Sequence, residues 1–281
     1  MAIQILSDLH LEVGKAYDIF EIEPKAPHLA LLGDIGNVVV HKDDFLGFLT
    51  RQLRQFQTVM FVPGNHEAYH SSWPETLDIL RAVERESSAP NKDASLGRFV
   101  LLDCAIFRLP DSNTVILGCS LFSYVPPESQ MAVNMGLNDF YQIDKWDVDA
   151  HNEMHKRDLA WLNTQVADLE STDVRIAIFS HWSPTRDARA IDPRHVGSSI
   201  SAAFSTDLSK EKCFESGNIK LWAFGHTHYN CDFFVDRGDV KTNLDHESGA
   251  APRGPLRIMA NQRGYYFSQA DGFDAGKTIK W

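Results

Sequence analysis

Five stretches of the chain carry side chains of the kinds that bind metal ions: Asp8-Leu9-His10, Gly33-Asp34, Gly64-Asn65-His66-Glu67, His181 and Gly225-His226-Thr227-His228. A mixture of carboxylate, imidazole and amide suits borderline cations such as Mn, Fe, Co, Ni or Zn. No thiolate takes part, which separates the set from a structural zinc site of the finger type. The chemistry open to such a set is that of a bound cation acting as a Lewis acid. Each piece alone is a weak signal. Asp-x-His and Gly-Asp arise often by chance, and a lone histidine more often serves a core or a loop. The force lies in the ordered set.

The elements before these residues explain how they would meet. Apolar runs at residues 3–6, 28–32, 59–62, 114–119, 175–179, 219–224 and 256–259 read as buried strands. Five of them end just before one of the five pieces, and in open α/β sheets sites form at the carboxyl ends of strands. If the chain stays extended, residues i and i+2 point the same way, so Asp8 pairs with His10 and His226 with His228. Gly33, Gly64 and Gly225 permit tight turns just ahead of these residues. Phe45, Phe48, Leu49, Leu53 and Phe56 share one helical face, as do Leu77, Leu80 and Val83, and Leu159, Leu162, Val166 and Leu169. The alternation predicts an α/β architecture. With no convincing linker, residues 1–281 are expected to form a single domain. The irregular stretches 123–149, 185–205 and 236–254 are long for plain connections and are candidates for substrate-shaping loops.

Composition narrows the partners. The chain has 281 residues, 43% hydrophobic and 23% charged, with a formal net charge of −11. That balance argues against gripping a nucleic-acid polymer, which takes clustered Lys and Arg. A small phosphorylated substrate stays open, because bound cations reverse the local sign of an acidic cleft. Cys104, Cys119, Cys213 and Cys231 are widely spaced and read as free thiols. No apolar run is long enough for a membrane span, and the first residues lack a signal peptide's pattern. A soluble cytoplasmic protein of undefined oligomeric state is the expectation.

The ordered set resembles the calcineurin-like metallophosphoesterase superfamily. The resemblance extends to Gly118-Cys119-Ser120-Leu121-Phe122, Gly136-Leu137-Asn138-Asp139-Phe140, residues 193–204 and Asn261-Gln262-Arg263-Gly264-Tyr265, which are similar to a branch of small bacterial and fungal members. It implies a four-layer α-β-β-α sandwich of two mixed sheets flanked by helices. It also implies two divalent or trivalent transition-metal ions, with Mn, Fe, Zn, Co and Ni as candidates. Asp8, His10 and His228 would hold one ion and Asn65, His181 and His226 the other, with Asp34 bridging. His66 would bind no metal and would sit beside the scissile phosphate. Trp182 stands where the branch often has a second histidine, and Gln262 where it often has proline. Both departures bear on pocket shape.

The activity so implied is hydrolysis of small phosphodiesters, with cyclic nucleotides as one candidate class, by attack of a hydroxide shared between the ions. Asn65 and His66 would meet charge on the phosphoryl oxygens, and His66 would protonate the leaving group. The alternatives are a phosphomonoesterase of the same fold and a non-catalytic nucleotide-binding or scaffold protein. Glu67 is expected to play a supporting part at most. Further substrate contacts are expected from His155, which continues the third helical stripe inward, and from Asn138, Asp139 and Arg263. The competing reading of His155 is a core histidine bonded to backbone, and His151 is expected in solvent. Tyr69, Trp73, Phe122, Tyr124, Trp182 and Tyr265 are candidates for stacking a flat group at the rim.

Overall fold

Strands form where Val, Ile, Leu and Phe follow one another, because a strand covered on both faces needs apolar side chains on both. The computed structural model describes residues 2–90, 93–237 and 253–280. In chain order its first elements are β1 (Ala2–Leu6), β2 (His28–Leu32), α1 (Lys42–Gln55), β3 (Thr58–Val62), α2 (Trp73–Ser88), β4 (Arg98–Leu101), β5 (Ala105–Arg108) and β6 (Thr114–Gly118). There follow α3 (Gln130–Gly136), α4 (Asp139–Gln142), α5 (Val148–Leu169), β7 (Arg175–Phe179), α6 (Lys212–Glu215), β8 (Ile219–Phe224), β9 (Cys231–Val235) and β10 (Leu256–Ala260). A two-stranded hairpin, β11 (Gly264–Tyr265) and β12 (Ser268–Gln269), precedes β13 (Thr278–Lys280).

Two mixed sheets result. One runs β13-β1-β2-β3-β4, parallel except for β13. The other runs β5-β6-β7-β8-β10-β9, parallel in its centre with antiparallel β5 and β9 at its edges. Ile3, Ile5, Met60 and Val62 of the first sheet pack against Ile116, Phe179, Leu221 and Met259 of the second. The outer face of the first sheet meets Phe45, Phe48, Leu49 and Leu53 of α1 and Leu80 of α2. That of the second meets Leu162, Val166 and Leu169 of α5 and Phe214 of α6. The order of layers is therefore α-β-β-α, as expected.

Local signals set the helix starts. Ser72 and Glu75 form a capping box ahead of α2, and the Asp147 side chain caps α5 by accepting from the Ala150 N–H. Two regions differ from expectation and a third lies mostly outside the described residues. Residues 123–149 hold α3 and α4 and are not an open loop. Of 236–254, most lies outside the described residues, so its expected role does too. His151, expected in solvent, is fully buried, with Nε2 3.1 Å from Ser123 Oγ. The reason is the helical period: α5 buries 148, 151, 155, 158 and 162 on one face, so an inward His155 carries His151 inward as well.

Candidate metal centre and adjoining cavity

The carboxyl ends of β1, β2 and β3 lie beside those of β7 and β8, and the five pieces meet there. The backbone gets them there by an unexpected route. Asp8, His10, Asp34, His226 and His228 all have positive φ, between 47° and 70°. Paired residues thus converge through left-handed turns, not through extended chain. For side chains with a Cβ this conformation costs about 1 kcal/mol or more each and persists only where the surroundings impose it. Here they do: Asp8 N–H donates to Gly33 C=O, His10 N–H to Asp34 C=O, and Gly225 N–H to His181 C=O. Gly33 itself has φ +84, and a Cβ on Gly64 would collide with the Asp34 carboxylate and backbone.

Glu67 locks this arrangement. Its fully buried carboxylate accepts from four backbone N–H groups: Gly64 at 2.6 Å, Ile35 at 2.7 Å, Asp34 at 2.9 Å and Gly36 at 3.3 Å. It ties the turn after β2 to the turn after β3. Burial, with Asp34 nearby, pushes its acid up to about 7. On the second sheet, Gln262 accepts from His228 N–H at 2.6 Å and donates to Thr227 Oγ1 and Tyr229 C=O, clamping the turn after β8.

Among the described residues the side chains form three groups whose potential ligand atoms lie within 4.8 Å of one another: Asp8, His10 and His228; Asp34, His181 and His226; and His10, Glu12 and His66. Asn65 joins the second. Its amide N–H groups donate to Asp139 Oδ1 at 2.8 Å and Tyr69 Oη at 3.2 Å, which turns its oxygen to His181 Nε2 at 3.2 Å. His181 Nδ1 donates to Leu32 C=O at 2.7 Å, leaving Nε2 to face Asp34 Oδ2 at 3.4 Å. His10 Nε2 and His228 Nε2 stand 2.9 Å apart, and His226 Nε2 is buried with no partner. Ring nitrogens and side-chain oxygens thus face one another across this edge, and His226 Nε2 has no hydrogen-bond partner among them. A proton or a cation is required between them, and this donor set fits a transition-metal ion.

Electrostatics agree. Burial would raise the Asp8 and Asp34 carboxyls, yet histidines hold both below the usual range: His228 and His181 for Asp8, His181 and His66 for Asp34. His181 is moved up to about 9 against burial by Asp34. Burial pushes His226 well down and His10 down.

His66 has a different setting. Its Nδ1 lies 2.8 Å from Glu12 Oε1, which also reaches His10 Nδ1 at 3.2 Å. Its ring stacks on Tyr69 at 4.1 Å, and its Nε2 lies 3.5 Å from Tyr265 Oη and 4.0 Å from Asp34 Oδ2. Against burial, Asp34 and Glu12 raise it to about 9. Glu12 was not anticipated. Its signal was available in the alternation Asp8-x-His10-x-Glu12.

A cavity of about 420 Å³ opens beside these groups. Asp34, Asn65, His66, His226 and His228 form its metal side. Residues 136–139 form one wall and residues within 190–205 the other. The second wall comprises short helical turns whose ends meet where Ser183 bridges Ser205. Trp182 anchors it, donating its indole N–H to Ala203 C=O at 3.0 Å.

Among the expected substrate contacts, Asn138, Asp139, Tyr69 and Tyr265 line the cavity. Two expectations need correction. Arg263 lies elsewhere, donating to Leu9 C=O and stacking over Phe20, because its side chain folds back under β1. His155 is held at Phe122 C=O, 2.5 Å from Nδ1, by the inward face of α5, and is a core histidine with its charge disfavoured by burial. Trp73, Phe122 and Trp182 belong to a buried aromatic cluster behind the site, and Tyr124 is partly exposed beside His155.

Comparison with known proteins gives a consistent picture. A family model described as calcineurin-like phosphoesterase matches residues 1–230. An uncharacterized protein of Acanthamoeba polyphaga mimivirus is 26% identical over 262 residues, covering 86% of this chain and 89% of that one. The crystal structure of phosphopantetheinyl hydrolase from Mycobacterium tuberculosis superposes with a TM-score of 0.63 at 15% identity, covering 94% of this chain and 89% of that chain. The latter likeness is one of fold. No helix among the described residues is long and apolar enough to cross a membrane.

Proposed function

The chain belongs to the calcineurin-like phosphoesterase family, and from that premise we propose that it hydrolyses small phosphodiesters at a pair of transition-metal ions. Asp8, His10 and His228 would hold one ion, Asn65, His181 and His226 the other, with Asp34 between them. The observation that carries this reading is the convergence of buried carboxylate, imidazole and amide groups on one edge, above all the unpartnered His226 Nε2. When bound, the ions would make a water nucleophilic near neutral pH and offset charge on the phosphoryl oxygens.

The chain's own groups do the rest. Tyr69 and Asp139 orient Asn65 so that its oxygen, not its N–H, faces the ions. Both amide hydrogens are engaged, so Asn65 acts through that oxygen. Glu12 holds His66 by Nδ1, so that Nε2, beside Tyr265 Oη, would give a proton to the departing oxygen. Tyr69 and Tyr265 pack about that ring and restrict its rotation.

The preference for a diester rests on charge. A monoester at neutral pH carries up to one more negative charge, which protein sites commonly meet with Arg or Lys. The described residues lining the cavity include neither, and they include Asp34, Asp139 and Asp192.

The test pairs elemental analysis with kcat/KM for methyl p-nitrophenyl phosphate and p-nitrophenyl phosphate. About two ions per chain and at least about a tenfold preference for the diester, roughly 1.4 kcal/mol, are expected. A preference for the monoester would overturn the diester assignment. No bound ion and no turnover of either ester after Mn loading would overturn the hydrolase and leave a binding protein.

A further inference from the structure

The cavity's outer walls have a composition the reacting phosphate does not call for. Leu137, Ile191, Val196, Ile200 and Phe204 present apolar surface to it, with Asn138, Ser198 and Thr227 as neutral polar groups. The walls also carry His195 and two carboxylates, each at least partly engaged. Asp192 is paired with Arg194 at 2.6 Å and receives that residue's backbone N–H at 2.8 Å. Asp139 is held through Oδ1 by Asn65 and Tyr69, and its buried Oδ2 has no partner. The apolar character continues outward: Val196 at 71% exposure lines the cavity, Met135 at 73% directly precedes Gly136 of the lining, and Phe267 at 69% stacks on Tyr265. Exposed apolar side chains gathered at a cavity mouth mark a place where something apolar binds. A volume of about 420 Å³ lies within the range of cavities that bury most of a drug-sized ligand.

We propose that this cavity selects diesters whose second substituent is an uncharged, flat or apolar-faced group of aryl to nucleoside size, and that it rejects substituents bearing a further phosphate or carboxylate. The inference rests on the phosphodiesterase reading above and deepens it. Discrimination has two sources. An apolar group that fills the walls is favoured over one too small to reach them, since even a methylene in a hydrophobic pocket is worth about tenfold or more. A second anion is disfavoured because it would lose water beside walls whose described lining residues include Asp139 and Asp192 and, apart from His195, no basic side chain.

The Mn-loaded protein is assayed with four p-nitrophenyl phosphodiesters that share one leaving group. Their second substituents are methyl, phenyl, thymidin-5′-yl and 3′-phosphothymidin-5′-yl. The expected order in kcat/KM puts phenyl and thymidinyl at least about tenfold above methyl, and the added phosphate at least about tenfold below its parent. The Val196→Arg variant, altered at an exposed position, is expected to narrow the gap between the last two by severalfold. Equal rates for methyl and phenyl, or a gain from the added phosphate, would overturn the inference while leaving the phosphodiesterase intact. If no diester turns over, the phosphodiesterase reading fails. The cavity is then judged by calorimetry with phenyl methylphosphonate and 4-carboxyphenyl methylphosphonate. Tighter binding of the former by about tenfold supports the inference, and equal or reversed affinity sinks it.

Discussion

The metal edge and the outer wall of the cavity touch the same space, yet they are built in opposite ways. At the metal edge, five side chains with left-handed backbones are held by bonds that cross between distant segments, such as Asp8 to His226 N–H and Glu67 to the turn at 34–36. The wall at 190–205 is stabilised mostly by bonds of short range. Asp187 caps Arg189, Asp192 caps Arg194, and Ser201 Oγ reaches back to Ser198 C=O. A cation site needs ligand positions fixed to a fraction of an ångström, and strain there is tolerable only where many segments share in imposing it. A wall that sorts organic groups needs only shape and polarity. The edge should therefore respond to a single change as a unit, and the wall should not.

The severest test of that contrast is Asp34→Asn. Asp34, proposed to bridge the two ions, groups with His181 and His226, and its Oδ1 also accepts from His66 N–H at 2.9 Å. The amide keeps the shape and loses the charge. Turnover of a diester is expected to fall by about a thousandfold, with ion content reduced by at least one per chain on elemental analysis. Retention of both ions and of activity would show that the edge is not one unit.

Glu67→Gln probes the same contrast without touching a proposed ligand. The carboxylate offers two oxygens to four N–H groups, two on Oε1 and two on Oε2. The amide has one oxygen, so its NH₂ would face a pair of backbone donors. A loss of about 2–4 kcal/mol in denaturant unfolding is expected, since buried donors would be left unmatched. Ion affinity should weaken by about 10- to 100-fold. A neutral outcome would mean that the cross-links between turns are incidental.

These two residues also mark how far the sequence could be read. Strands buried on both faces announce themselves as apolar runs, and five of the seven runs are followed by ligand-type residues. What was hidden came from contacts between segments. Nothing in the order of residues says that Glu67 reaches the turn after β2, or that Asp8 and His228 adopt left-handed backbone. Short strands were missed for a related reason: β4 and β5 are four residues each, and β13 pairs with β1 from the far end of the chain. His151 is different. Its burial was implied by the helical period once His155 was placed inward, so that signal was present and misread. Arg263 illustrates the converse, a phosphate-binding residue type placed away from the cavity, with one donor on a carbonyl and its guanidinium over Phe20.

His151 supplies a pH test of the dry layer behind the edge. It is buried among Phe122, Trp182 and Ser123, and burial, with His155 beside it, lowers its pKa to about 3 from a usual 6.5. A depressed folded pKa means that the unfolded chain takes the proton first. The stability this neutral ring supports is complete above pH 6.5 and is lost as pH falls toward 3. Unfolding free energy of the wild type should drop across that window by on the order of 1 kcal/mol per pH unit more than in His151→Asn. Ligand histidines are common to both proteins and cancel in the comparison. Parallel pH profiles would show that water reaches this layer and that the edge is less dry than its burial suggests.

The smallest expected effect comes from the wall, and its smallness is the point. Val196 is 71% exposed and lines the cavity from its mouth. In Val196→Ser the backbone bonds of the wall stay in place, because none depends on that side chain. Unfolding free energy should change by no more than about 0.5 kcal/mol, as for exposed positions generally. Ion content should match the wild type, since none of the hydrogen bonds that hold the proposed ligands involves Val196. Only the ratio of rates for a phenyl and a methyl diester should move, by a few-fold, as apolar surface is withdrawn. If ion content fell with that ratio, the wall would prove to be mechanically part of the edge, and the two regions would have to be treated as one construction.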